Sequence, residues 1–447
     1  NTYPEVMNNY TYNENGYRTN FTDNHNSDFQ YEYSQAGRLT RVQNGSGQVY
    51  NFVQDNIGRL LSQALPGTNV EYSYAAEDGL SRIEYSSGGS VSAFFNFTRN
   101  SSGTILTKQS ERENVSFAYA DNNALTNVNR SFTDSRGPAS IGDYNTEAFD
   151  YDKIGNRILE SAGALIYDST KQLLLEDPRY RYSYDDSGNL IEKINKISGE
   201  TTRYTFNADE QLSKVEFFDN ESTSVSFKIA SYYYDGLGRR LKKVVSDNRS
   251  PSDVTKSFTR QYGYDGDELY LEFDENSNLL SRYTLSRVKA DDVLGVTVTS
   301  DGVNSKLAPS AGSYVLYKDQ VGSVTHVADT NGNVLEKIDY SSFGKIIRIT
   351  DSLDNDVTDN QSYRFVYNFT GREFDSETGL YYYRARYYDA STGRFLQKDP
   401  VPGQATLPNS VFNKYIYALN NPINFSDPSG KIIPFLLVAI QFLGQAA

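Results

Sequence analysis

Gly16, Gly37, Gly58 and Gly79 stand 21 residues apart, three intervals in succession. A fixed period of that size marks an array of small units, none of which can bury a core of its own, so each leans on its neighbours. This constraint outweighs length. A chain of 447 residues would otherwise suggest about three globular domains.

The recurring phrase is aromatic-x-aromatic, then Asp or Asn, then a small residue four positions after the second aromatic, then an aliphatic. Tyr31 and Tyr33 precede Gly37 and Leu39; Tyr182 and Tyr184-Asp185 precede Gly188 and Leu190; Tyr232 and Tyr234-Asp235 precede Gly238 and Leu241. Degenerate copies keep the spacing, with Asn123 after Tyr119, Gly155 after Tyr151-Asp152 and Ser277 after Phe273-Asp274, while Glu210 after Phe206 makes a weaker copy. Alternate aromatics share one face of a strand, Asp or Asn opens a turn through its own backbone, and glycine supplies the positive φ that closes it. The unit predicted is a β-hairpin. Thirty-seven tyrosines and 24 phenylalanines, with no cysteine or tryptophan, suit cross-strand aromatic ladders better than a helical core. Tyrosine joins a wet hydroxyl to an apolar ring, which predicts a sheet able to face a large solvated cavity.

Composition narrows the function. Fifty-seven acidic against 43 basic residues give a formal charge of −14, which opposes a polyanion and argues against nucleic acid as a partner. Without cysteine there are no disulfides, thiolate nucleophiles or cysteine-ligated zinc. His25 and His326, the two histidines, sit in turn-like contexts and read as solvated or packing residues. Asp274-Glu-Asn276-Ser-Asn278 starts like a calcium loop, but Leu279 and Leu285 occupy the positions that need glycine and glutamate, so a hairpin turn is expected. The acidic stretch Asp351, Asp354, Asp356 and Asp359 reads as a solvated loop. No phosphate loop, nucleophile elbow or zinc-protease motif occurs, and no metal or cofactor is expected.

From Tyr314 the style changes. Tyr363-x-Phe365-x-Tyr367-x-Phe369 alternates like a strand, and Gly379 to Tyr388 reads as an aromatic strand pair with Arg384 and Arg386 on one face, in cation-π contact with nearby tyrosines. Then come Asp389, Gly393-Arg-Phe-Leu396, Asp399-Pro400, Asn420-Asn-Pro422 and Asp427-Pro-Ser-Gly430. This block resembles the core-associated region of bacterial Rhs proteins, which also marks the C subunits of Tc toxin complexes and, more distantly, the YD shells of teneurins.

The resemblance implies an all-β fold, a YD-repeat hairpin array coiled into a hollow, cocoon-like shell with a C-terminal plug. It implies a repeat shell over 1–345, a core-associated plug over 346–430, and the start of a variable cargo region over 431–447. It also implies an aspartyl self-protease that cuts after Gly430, before Lys431. Asp399 is carried over as the catalytic aspartate, and Asp427 lies in the cleavage motif as a candidate carboxylate partner. Two carboxylates brought close cannot both ionise, so one keeps its proton as acid while the other activates water. The chain departs from the family pattern at Lys398, which stands beside the catalytic aspartate where arginine is common, and at Lys431, where leucine is common.

After Gly430 comes the apolar run Lys431-Ile-Ile-Pro-Phe-Leu-Leu-Val-Ala-Ile-Gln-Phe-Leu-Gly444, shorter than the roughly 20 residues that span a bilayer. It reads equally as a buried helix or strand docked on the shell or as the start of a cargo able to touch a target membrane. The chain enters in mid-repeat at Asn1, as a fragment or processed product would. The function implied is a shell that encloses a C-terminal toxin or effector and releases it after self-cleavage. Its partners would be that enclosed segment and secretion or shell-closing proteins. The product would be secreted or cell-surface and bacterial, stored in the cytoplasm before export. The alternative is an extracellular adhesion or glycan-binding module without cleavage.

Overall fold

A computed structural model describes residues 3–76, 79–133, 144–168, 172–360, 363–402 and 413–431. Strand accounts for 51% of the described residues and helix for 3%, as the hairpin period requires. Among the described residues there are three antiparallel meanders: fifteen strands from Asn8 to Ala164, sixteen from Ile166 to Asp351, and four from Glu373 to Phe395, each in sequence order.

The hairpin turns show why Asp and Gly recur at fixed spacing. The Asp235 carboxylate accepts the N–H groups of Leu237 and Arg239, both at 2.9 Å, and Gly238 donates to the Asp235 carbonyl at 3.0 Å with φ +83°. Asn123, Ser277 and Glu210 take the same left-handed conformation, with φ of 63°, 65° and 61°. The copy at Glu210, weak in the sequence, is therefore a full turn. Asn207 accepts from Asp209 at 3.0 Å and Gln211 at 2.9 Å, and such bonds offset the roughly 1–2 kcal/mol that a side chain costs in that conformation. Asp274 likewise accepts from Asn276 and Asn278, both at 2.8 Å, and is a hairpin turn.

Tyrosine is chosen over phenylalanine for a reason the repeat alone does not show. The hydroxyls of Tyr74, Tyr119, Tyr151, Tyr234, Tyr264 and Tyr340 donate to the carbonyls of Leu60, Ile105, Leu125, Leu212, Arg240 and Val324, at 2.6 to 2.9 Å. Each acceptor is the first residue of the preceding strand. The tyrosine at the end of a hairpin's first strand thus caps the carbonyl just past the turn of the hairpin before it. The expectation that these hydroxyls stay wet is corrected at these positions: they stitch unit to unit.

The first sheet lays its buried face on the second. Phe21 meets Tyr270 edge-on at 5.1 Å and Tyr85 stacks on Tyr317 at 4.3 Å, and Thr68 bonds the Tyr317 hydroxyl at 2.8 Å. Strands Glu268–Phe273 and Val324–Asp329 are buried on nearly every residue, because a second layer covers their other face. That layer includes the aromatic run from Tyr363, and the strand predicted there is corrected. Its only ladder contact among the described residues is a single bridge from Tyr367 to Glu373. Tyr363 packs on Tyr314 at 5.3 Å and Tyr367 on Tyr283 at 5.0 Å, while the Tyr363, Arg364 and Val366 N–H groups go to Glu336, the Leu307 carbonyl and the Tyr283 hydroxyl. Backbone partners come from the surrounding layer, so no neighbouring strand is needed.

The third sheet docks on the second through aromatic and ionic contacts. Tyr387 lies 5.3 Å from Tyr232, and Tyr382 lies 6.3 Å from Tyr234. Beside them Arg240 pairs with Asp375 and with Glu373 at 2.8 Å, and Lys243 reaches Asp375 at 2.8 Å and Glu377 at 3.2 Å. Arg240 and Asp375 are fully buried.

Candidate functional site

The site grows from the third sheet. Strands Leu380–Tyr383 and Arg386–Asp389 form a tight hairpin in which Tyr383 faces Arg386 and Arg384 takes φ +57°. Arg386 lies in a wholly buried strand, its guanidinium 3.5 Å from the Phe395 ring centre. A cation so placed needs buried carboxylates, and Asp399 and Asp427 supply them.

Arg386 Nη2 reaches Asp399 Oδ2 at 2.9 Å and Asp427 Oδ2 at 3.2 Å, with the three side chains 2, 2 and 4% exposed. Its Nη1 donates to the Lys414 carbonyl at 3.0 Å and its Nε to the Gly430 carbonyl at 2.5 Å. Asp427 Oδ1 accepts the Lys431 N–H at 3.1 Å and the Ser429 hydroxyl at 3.3 Å. The Gly430–Lys431 peptide is therefore held at its oxygen by a cation and at its nitrogen by a carboxylate. Arg384 donates to the Pro428 carbonyl at 2.7 Å, so both arginines of the tyrosine block converge on one segment.

Glycine is demanded at 430 twice over. Its φ is +65°, and a Cβ there would fall 2.0 Å from the Tyr383 carbonyl oxygen, inside any allowed contact. The Asp399 N–H bonds the Lys414 carbonyl at 3.0 Å, and Asp399 Oδ1 accepts from Val401 at 2.8 Å, which fixes the carboxylate.

Burial acts on the charges of the cluster. Burial pushes the Asp427 carboxyl up to about 6, with Arg386 opposing and the Asp399 charge adding to the rise. Burial also lowers the Arg386 guanidinium, against the pull of Asp427 and Asp399.

Of the residues marked in the sequence, Asp399, Asp427, Gly430 and Lys431 meet within this cluster. Lys398 is exposed, its side chain lying across Gly188, where a Cβ would come 2.9 Å from Nζ. The apolar run from residue 432 lies outside the described residues. Arg386, placed by sequence only in cation-π contact, is the hub. The signal for it was present: a charge inside a strand of tyrosines has to find a buried counter-charge.

His326 is a packing residue, as expected, but it does not sit in a turn. It is buried in strand Val324–Asp329 with Nε2 2.9 Å from Glu111, a contact made across the sheets, whereas His25 does occupy a turn, against Phe273. Near His326 is a cavity of about 50 Å³ whose charges pair within its own wall, Lys108 and Arg130 both with Glu113. Among the described residues no three His, Cys, Asp or Glu side chains cluster as metal ligands, and no helix is long and apolar enough to cross a membrane.

With this geometry in hand, comparison with known proteins is decisive. A family model described as the teneurin YD-shell matches residues 2–130 and 306–423. The chain belongs to the teneurin YD-shell family. This YD shell is 31% identical over 248 residues to a tRNA3(Ser)-specific nuclease WapA of Bacillus spizizenii, covering 56% of this chain and 9% of that one. It is 28% identical to the double-stranded DNA deaminase toxin A of Burkholderia cenocepacia, covering 64% of this chain and 19% of the toxin. It is 27% identical to toxin protein Tse5 of Pseudomonas aeruginosa, covering 60% and 20%. The YD shell thus spans at most 20% of the length of these relatives. Its fold matches the crystal structure of TcdB2-TccC3-Cdc42 with a TM-score of 0.73 at 19% identity, over 98% of this chain and 22% of that one. The Photorhabdus luminescens Tc holotoxin pore gives 0.71 at 18% identity, over 98% and 22%.

Proposed function

We propose that this YD shell encloses a C-terminal toxin or effector polypeptide and frees it by cutting its own chain between Gly430 and Lys431. The observation that carries the reading is the grip on that one peptide bond, with Arg386 on its oxygen, Asp427 on its nitrogen and Asp399 on the same guanidinium. The toxins among the relatives support the cargo class. The chain then divides into a repeat shell over 1–345, a block over 346–430 that carries the cut site, and a released segment from Lys431. Export to the bacterial surface or medium follows from that role.

In the cutting step water adds to the Gly430 carbonyl carbon while Asp399 takes its proton. Asp427 in its protonated form then gives a proton to the Lys431 nitrogen as the C–N bond breaks, leaving a Gly430 carboxyl and a Lys431 amine. One turnover suffices, because the substrate is tethered at high effective concentration.

Two outcomes follow. The Asp427 acid form is populated below its raised pKa of about 6. It is lost as pH rises through that value, so the cleavage rate on refolding should hold between pH 5 and 6 and fall about tenfold per pH unit above it. A rate flat from pH 5 to 8.5, read from quenched samples on a denaturing gel, rules out this acid. Second, a reporter domain fused after Ala447 should resist protease while the shell is folded and be digested once it is unfolded. Equal digestion in both states favours the adhesion module instead.

A further inference from the structure

We propose that Arg386 is itself a catalytic residue, the group that binds the oxyanion formed at Gly430. This rests on the cleavage reading above and adds to it the element that two aspartates cannot supply. When water adds to the Gly430 carbonyl, negative charge grows on the carbonyl oxygen, and a buried site without a donor aimed there would oppose the step. Arg386 Nε already lies 2.5 Å from that oxygen. Among the described residues no second donor bonds it.

The guanidinium is fixed before reaction. The Phe395 ring stacks at 3.5 Å, Nη1 is bound to the Lys414 carbonyl at 3.0 Å, and Nη2 is shared by Asp399 and Asp427. No reorganisation is needed when the charge appears.

Charge balance supplies the second argument. In the acting form, with the proton on Asp427, Arg386 is compensated by the Asp399 carboxylate 2.9 Å from Nη2. As Asp399 accepts the proton of the attacking water it becomes neutral, and the negative charge reappears on the Gly430 oxygen, against another nitrogen of the same guanidinium. The bond formed is C–O, the charge moves from Asp399 to the oxyanion, and the site's net charge is unchanged. When the oxyanion collapses, the C–N bond breaks and Asp427 protonates the leaving nitrogen. One arginine serves both states, which accounts for its position between acid, base and scissile carbonyl. A lysine there would keep the charge but could not span Nε, Nη1 and Nη2 at once.

The test uses the full chain with a tail beyond Lys431. Arg386→Lys should fold, by circular dichroism and thermal melt, and cut at least about 100-fold more slowly, the loss known for removal of one oxyanion donor. Its rate should still fall as pH rises through the Asp427 range, since both carboxylates and the positive charge are kept. A purely structural role would lower the melting temperature without that separation. Phe395→Leu, which leaves every charge in place but removes the ring under the guanidinium together with its edge contacts to Tyr383, Tyr388 and Tyr417, should slow cutting about tenfold in the fraction that melts as folded. If the parent is cut and folded Arg386→Lys is cut equally fast, the Arg386 assignment is overturned while the aspartyl cut stands. If Arg386→Lys does not fold, Phe395→Leu decides, and parental speed there overturns the assignment. A parent chain that is never cut overturns both readings.

Discussion

Asp399→Asn is expected to leave the chain whole under conditions in which the parent is cut between Gly430 and Lys431, with intact mass locating the break. The substitution keeps the size of the side chain and its acceptor for the Val401 N–H, found at 2.8 Å, while removing the base. General-base loss alone costs about 10² to 10⁴ in rate. A second effect has the same sign. The Asp399 charge is one of the causes that raise the Asp427 carboxyl, so neutralising it makes Asp427 more acidic and depletes the proton donor near neutral pH. Far-ultraviolet circular dichroism and the melting temperature should change little, because Arg386 retains Asp427, the Lys414 carbonyl and the Gly430 carbonyl. An Asp399→Asn chain cut at the parental rate sinks the aspartyl mechanism and leaves the fold assignment intact.

The largest loss of stability is expected from Asp375→Ala. This carboxylate is fully buried and serves two cations, Arg240 and Lys243, themselves 0 and 5% exposed. Its carboxyl is held below the ordinary range by those cations against the cost of burial. Removing one member of such a cluster strands its partners in a medium that cannot solvate them, at about 3–5 kcal/mol. Replacing Arg240, Lys243, Asp375, Glu373 and Glu377 together by apolar residues of similar volume should cost far less, since no member of the cluster is then left buried without its partner. The contrast is Asp219→Ala, whose pair with Arg249 is 52 and 59% exposed and should be worth less than about 1 kcal/mol. Urea denaturation of the uncut Asp399→Asn background reads all three. Equal small effects for Asp375→Ala and Asp219→Ala would mean that the ionic cluster does not anchor the third sheet.

Most of the fold was legible because its rules are local. A hairpin turn closed by a left-handed residue three positions after its opener, most often Asp or Asn, needs only neighbours in sequence, so spacing suffices even at Ser277 and at Asn123, where Ala120 is the opener. Glu210 looks weak by side-chain identity alone, yet the hydrogen bonds of Asn207 hold the turn regardless. Tyr363 to Phe369 misled for the opposite reason. Alternating aromatics satisfy a strand, but they satisfy equally an extended segment clamped between layers, and only the layers distinguish the two. His326 was placed in a turn because its place in a ladder depends on Tyr317, its partner across the strands.

By itself the sequence determined the repeat, the hairpin unit and the all-β class, since each follows from local turn chemistry; Asp399, Asp427, Gly430 and Lys431 were marked through the family resemblance of the two Asp-Pro motifs. The tertiary structure alone decided what joins them. Arg386 is 13 residues from Asp399 and 41 from Asp427, and nothing local in the chain says that its guanidinium enters the space between them. That follows from the tight hairpin at Arg384, the Phe395 ring and a glycine at 430 that lets the backbone pass within contact of Tyr383. A charge in a buried strand obliges a partner, but which partner it finds is a property of packing.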